Sequence, residues 1–167
     1  MRHAVFSILV ENSAGVLSRV AGLFSRRGYN IDSLTVGETT DPKVSRMTVT
    51  VTGDDDVLEQ IEKQLSKLID VKEVVELPAE ASVCRELVLI TVGVQASNRP
   101  EIIAIADTFR GKIVDVGVDT MMIELTGNQT KLNAFIKLLD GYEIKELVRT
   151  GIAGLSRGAE VMLDEFD

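Results

Sequence analysis

The chain of 167 residues has no tryptophan, one cysteine, one histidine, two tyrosines and five phenylalanines. A single cysteine, Cys84, excludes an internal disulfide and points to a reducing compartment. A single histidine, His3, leaves nothing for a Ser/His/Asp or Cys/His device, or for a His/Cys metal site, unless it is built on the chain start. Positive charge is also short: 18 Lys and Arg face 26 Asp and Glu, giving a net charge of −8 and a pI near 4.7. That balance argues against a phosphate-backbone partner. Long hydrophobic runs are missing. The apolar run Ala4–Val10 is too short for the hydrophobic region and cleavage site of a signal peptide, and too short to cross a bilayer. These absences together predict a soluble, cytoplasmic protein with no nucleic-acid and no membrane partner. A phosphate-cradling glycine-rich loop of the P-loop kind is absent as well.

What is present is organised around residues 11–32. A polar loop, Glu11 to Gly15, follows the apolar run. Val16, Leu17, Val20, Leu23 and Phe24 then fall on one face of a helix of 3.6-residue period. Arg26 and Arg27 put cations in its last turn and Gly28 stops it. A second strand runs over Tyr29–Val36, and a turn-rich loop covers 38–43. Residues 45–52 alternate Met47, Val49 and Val51 with Arg46, Thr48, Thr50 and Thr52, predicting a sheet buried on one face and polar on the other. Asp54, Asp55 and Asp56 suit the positive end of a second helix, which explains that acidic run without a cation. Val57, Leu58, Ile61, Leu65, Leu68 and Ile69 form its apolar stripe, and Val71–Leu77 is a fourth strand. The order is β-α-β-β-α-β, ferredoxin-like.

After a linker at 79–83 the pattern repeats. Leu87–Val94 is extended, Pro100 opens a helix carrying Ile102, Ile103, Ala106 and Phe109, and two strands at 113–118 and 121–125 follow. A helix with Leu132, Phe135, Ile136 and Leu139 and a strand at 142–148 complete it. Gly53 matches Gly127, Leu58 matches Leu132 and Ile61 matches Phe135 at one fixed offset. The fold class is therefore α+β, two ferredoxin-like domains at 1–78 and 84–158, followed by an acidic tail at 159–167. The copies differ at the loop: Gly15 is matched by Pro100, and the stretch around Asn30 is shortened, so the second copy is expected to have lost whatever the first binds.

The chemistry on offer suits binding rather than catalysis. The amides that open the first helix are free to meet a carboxylate. Asn12 and Asn30 offer polar side chains to an α-amino group, and Gly15 keeps the approach clear. Ser13 and Ala14 complete the loop, and Val16, Leu17 and Ile31 could line a small apolar pocket. That describes a branched-chain amino-acid site; the alternative is that both asparagines only cap and turn. A ferredoxin-like fold can also bind RNA by stacking bases on aromatics of the central strands, but residues 45–52 contain none.

The fold order with a glycine loop before the first helix resembles the ACT domain, a small-molecule sensor. The longer strings ENSAGVLSRVAGLFSRRGYNIDSLTVGETTDP, SRMTVTV and LEQIEKQLSKLIDV, with FRGKIVDV and RTGIAGLSRG further on, are similar to the regulatory (small) subunit of acetolactate synthase. That resemblance covers nearly all of 1–158 and makes the second domain a degenerate ACT-like copy. It implies a non-catalytic subunit, which activates a large subunit that is a transferase acting on pyruvate and confers feedback inhibition, usually by valine, on branched-chain amino-acid synthesis. Thiamine diphosphate, FAD and magnesium are then expected in the large subunit, with no cofactor in this chain. The family's effector lies between two ACT domains of a homodimer, and its asparagine and glycine positions fall on Asn12, Gly15 and Asn30. Arg149 and Arg157, set among small residues, are expected to dock on the partner. A stand-alone amino-acid sensor regulating another protein is the alternative reading.

Overall fold

The computed structural model describes residues 1–158; the expected acidic tail at 159–167 lies outside them. The chain divides into two compact units. The first comprises Met1–Val83 together with the segment from Ile152 on, and the second is Cys84–Gly151.

In the first unit the elements are β1 (Arg2–Glu11), α1 (Val16–Arg26), β2 (Ile31–Glu38), β3 (Val44–Gly53), α2 (Asp55–Ser66) and β4 (Val71–Glu76). Their sheet has the order β2-β3-β1-β4 and is antiparallel throughout. Side chains alternate across each strand, so Phe6, Ile8, Val10, Met47, Val49 and Val51 share one face. There they meet Val16, Val20, Leu23 and Phe24 of α1 and Leu58, Ile61 and Leu65 of α2. The Asp54 carboxylate accepts from the Val57 amide at 2.9 Å, and Asp55 and Asp56 follow in the first turn of α2, as their charge requires. Gly28 has φ +71, the left-handed stop that α1 needs. Ile69 departs from the expected stripe: α2 ends at Ser66, and Ile69 is 93% exposed in the turn before β4.

The second unit repeats the design: β5 (Ser82–Gly93), α3 (Arg99–Thr108), β6 (Lys112–Val116), β7 (Thr120–Gly127), α4 (Gln129–Leu138) and β8 (Glu143–Arg149). Its strand order, β6-β7-β5-β8, is the order of the first sheet one copy later. Val88, Ile90, Val92, Met121, Ile123, Ile102, Leu132 and Phe135 fill its core. Both units have the ferredoxin-like βαββαβ order.

One expectation is corrected. The polar face of the first sheet is not open: Ser7, Thr48 and Thr50 are buried. Past Gly151, at φ +87, the chain turns into a short strand, β9 (Ala153–Ser156), within the segment expected to dock. The Ile152 amide donates to Ser33 Oγ, and its carbonyl accepts from Thr35 Oγ1, both at 3.3 Å. The Arg157 amide donates to the Ala81 carbonyl at 2.8 Å. The hydroxyl-rich strand face thus satisfies the backbone of its own chain's C-terminal segment. The compact second unit ends at Gly151, and residues 79–83, a 3-10 turn and the start of β5, group with the first unit.

Candidate functional site

The polar loop between β1 and α1 is fixed from both sides. The Glu11 amide donates to the Asp70 carbonyl at 2.9 Å and the Asn12 amide to the Lys43 carbonyl at 2.8 Å. The Asn12 side chain adds two bonds to the β2–β3 hairpin, from Nδ2 to the Pro42 carbonyl at 2.9 Å and to Glu38 Oε1 at 3.2 Å. Ser13, Ala14 and Gly15 are exposed beyond this anchor. Gly15 has φ +86 and ψ −9, the left-handed conformation that a side chain resists.

The first in-helix bond of α1 runs from the Arg19 amide to the Gly15 carbonyl at 3.0 Å. The amides of Leu17 and Ser18 precede it and have no carbonyl four residues back within the helix. No acidic residue lies in this first turn and no side chain caps it. The positive end of the α1 dipole is therefore uncompensated by its own helix. Arg19 adds a cation one turn in: a Cβ on Gly15 would lie 2.9 Å from its Nη1. Its Nε is paired with Asp70, and that hydrogen bond raises the guanidinium pKa.

The expected site residues separate into three groups. Asn12, Ser13, Ala14 and Gly15 form the loop, with Leu17, 48% exposed, on the next turn. Val16 is 3% exposed, because its helical phase with Val20, Leu23 and Phe24 turns it into the core. Asn30 and Ile31 lie beyond the far end of α1. An 11-residue helix is roughly 16 Å long, so one chain cannot bring Gly15 and Asn30 to one small ligand. Asn30 Nδ2 donates to Asp32 Oδ1 at 3.3 Å, and Asp32 Oδ2 accepts from the Thr52 hydroxyl at 2.6 Å. His3 Nδ1 lies 3.6 Å from the same oxygen.

Arg149 is engaged within its own unit. It forms a two-pronged pair with Glu86, Nε–Oε1 and Nη2–Oε2 both at 2.8 Å, and its Nη1 donates to Asn133 at 3.0 Å. The Glu86 hydrogen bond raises its pKa. Arg157 donates from Nε to the Ser82 carbonyl at 3.1 Å and remains exposed.

The matching loop of the second unit is built differently. Asn98 Oδ1 accepts from the Gln95 amide at 2.7 Å, and Arg99 Nη2 donates to the carbonyls of Gly117 and Val118 at 3.2 and 2.8 Å. Pro100 supplies no amide to the first turn of α3. Among the described residues no group of three or more His, Cys, Asp or Glu side chains is placed to hold a metal, and no helix is long and apolar enough to cross a membrane.

The sequence reading missed Arg19, Asp32, Glu38 and Asp70. Arg19 was findable, since a residue four after Gly15 stands one turn above it. Nothing local marks Asp70 as its partner. The arrangement offers amides and a nearby cation for a carboxylate at one end of α1, and a second asparagine at the other.

Residues 6–73 match the model of the small-subunit-like ACT domain of AHAS, and residues 85–158 match the model described as the small subunit of acetolactate synthase. A protein of Methanothermobacter thermautotrophicus described as a probable acetolactate synthase small subunit is 52% identical over 159 residues, 95% of both chains. The acetolactate synthase isozyme 3 small subunit of Escherichia coli is 48% identical over 159 residues, 95% of this chain and 98% of that one. The crystal structure of the acetolactate synthase small subunit from Thermotoga maritima superposes with a TM-score of 0.88 at 44% identity, covering 95% of this chain and 99% of that one.

Proposed function

Because the chain belongs to the acetolactate synthase small-subunit family, we propose that it is the regulatory subunit that activates a thiamine diphosphate-dependent large subunit and makes it subject to feedback inhibition by valine. The observation that carries the effector half is the α1 N-terminus at Gly15, with free amides, no acid in its first turn and Arg19 beside it. It suits the carboxylate of a small amino acid. Asn12 and Asn30 suit its α-amino group. Leu17 and Ile31 suit an aliphatic side chain.

The separation of Gly15 from Asn30 favours a homodimer in which the loop of one ACT domain meets Asn30 of the other. β2 is an edge strand of the first sheet, and Val36 on it is 48% exposed, which leaves an edge for a second copy. The second unit, with its altered loop, serves docking on the large subunit rather than sensing. Thiamine diphosphate, FAD and magnesium belong to that large subunit.

The test is reconstitution. Purified chain, large subunit, or both are assayed with pyruvate and thiamine diphosphate, with and without valine. The chain alone should make no acetolactate; the mixture should exceed the large subunit alone, and valine should suppress only the mixture. Acetolactate from the isolated chain, or a large subunit indifferent to its presence, would overturn the proposal.

A further inference from the structure

We propose that Glu38 and Asp32 are positioning residues of the effector site: each holds the amide nitrogen of one asparagine, so that the oxygen is turned to the effector's α-ammonium group. The inference rests on the amino-acid reading above and adds which end of each asparagine reads the ligand.

At Asn12 both Nδ2 protons have acceptors, the Pro42 carbonyl at 2.9 Å and Glu38 Oε1 at 3.2 Å. A carbonyl and a carboxylate only accept, so the chemistry of the partners settles which end of the amide faces them. Among the described residues nothing donates to Asn12 Oδ1. The backbone amide of Asn12 is held by the same hairpin, through the Lys43 carbonyl at 2.8 Å, so main chain and side chain are fixed together. Asn30 repeats half of the arrangement, with one of its two Nδ2 protons engaged. Its Nδ2 donates to Asp32 Oδ1 at 3.3 Å, and Asp32 is itself held by the Thr52 hydroxyl on its other oxygen at 2.6 Å.

An unanchored asparagine can turn either end to a ligand and meets an ammonium or a carboxylate alike. With both protons engaged, as at Asn12, it presents an acceptor alone, which attracts –NH3+ and repels –COO−; at Asn30 the bond to Asp32 fixes the orientation of the amide and leaves one N–H over. The α1 amides are donors alone and have the opposite preference. The site therefore reads both ends of an α-amino acid, and discriminates against a branched acid that lacks the amino group.

The experiment uses the full chain, with valine and 3-methylbutanoate as probes. Calorimetry gives the valine affinity, and displacement of valine gives that of the analogue. The wild type should prefer valine by at least about a hundredfold: a buried site that hydrogen-bonds a group the analogue lacks discriminates by roughly 10⁴–10⁵, and the exposure of Asn12 and Asn30 lowers that figure. Glu38→Ala should weaken valine about tenfold while leaving 3-methylbutanoate within about twofold, a selective loss that reflects one freed hydrogen-bonding group. Glu38→Gln keeps an oxygen that accepts from Asn12 and should stay within about threefold for both ligands. Asp32→Ala should repeat the selective loss. Equal weakening of both ligands would make Glu38 a structural residue only, and equal failure of the Ala and Gln variants would make its charge a direct partner of the ammonium. Either result overturns the proposal. A wild type that binds no valine would sink the effector reading alone. Side-chain amide resonances of Asn12 then decide the anchoring without ligand: their hydrogen exchange should be slowed in the wild type and in Glu38→Gln and released in Glu38→Ala. Identical exchange in all three overturns it.

Discussion

Replacing Gly15 by aspartate puts a fixed negative charge where the effector's carboxylate is proposed to lie. Two unit charges about 4 Å apart repel by roughly 4 kcal/mol at an effective dielectric near 20, or about a thousandfold in affinity. The surroundings of Gly15 reduce that figure. A Cβ there lies 2.9 Å from Arg19 Nη1, so the guanidinium must shift, and it would then screen the new carboxylate. If half the repulsion is offset, about 2 kcal/mol remains, a loss of roughly thirtyfold. The expected window is thus thirtyfold to a thousandfold. The backbone adds a separate effect, because φ is +86 and any side chain in the left-handed region costs on the order of 1 kcal/mol. That lowers the melting temperature by about 4–8 °C for a domain of this size. Gly15→Asn is the matched control, since asparagine has the same shape, tolerates the same φ and carries no charge. Both variants should melt earlier than the wild type, the aspartate one by less because its charge meets the α1 dipole and Arg19, and the aspartate variant alone should bind valine at least about thirtyfold more weakly than the asparagine one. In the reconstituted enzyme, Gly15→Asp should leave activity high and valine ineffective. Equal affinities for the two variants would show that no anion binds at the α1 N-terminus.

Three further outcomes follow from particular contacts. Arg149→Ala leaves the Glu86 carboxylate, 4% exposed, without its guanidinium, and should destabilise the chain by about 3 kcal/mol in urea unfolding; Arg149→Met with Glu86→Leu should recover most of the loss, and a neutral single variant would contradict the pairing. Ile152→Ala should lower stability by about 2 kcal/mol and speed amide exchange at Thr48 and Thr50, whose strand face lies under that segment; a chain cut after Pro78 should show the same exchange signature in its β3. The Tyr142 hydroxyl donates to Glu101 Oε2 at 2.8 Å, and that bond raises its pKa above 10.0. Its contribution to stability is therefore present below pH 10 and lost as pH rises through the folded-state value. Ultraviolet titration of Glu101→Ala should show Tyr142 ionising at lower pH than in the wild type.

The sequence determined what short-range physics controls. Periodicity assigned α1, α2 and their buried faces, and the fixed offset from Gly53 to Gly127 revealed the repeat. Gly15 and Gly28 stand where the backbone needs positive φ, and Asp54 where a helix needs a cap; each depends only on residues a few positions away. Helical phase also places Val16 on the core face with Val20.

The tertiary structure decided everything set by pairing across the chain. Asn12 meets Glu38 across 26 residues, Arg19 meets Asp70 across 51 and Ile152 meets Ser33 across 119. No local pattern names such partners, because a hydrogen-bonding side chain carries the same propensity whichever acceptor it finds. The same holds for the alternating threonines of β3, read as a solvent face: alternation fixes that Thr48 and Thr50 share a side, but what lies over that side depends on where a segment a hundred residues later comes to rest. Arg149 likewise finds its partner only in the fold, which brings Glu86 to it across 63 residues.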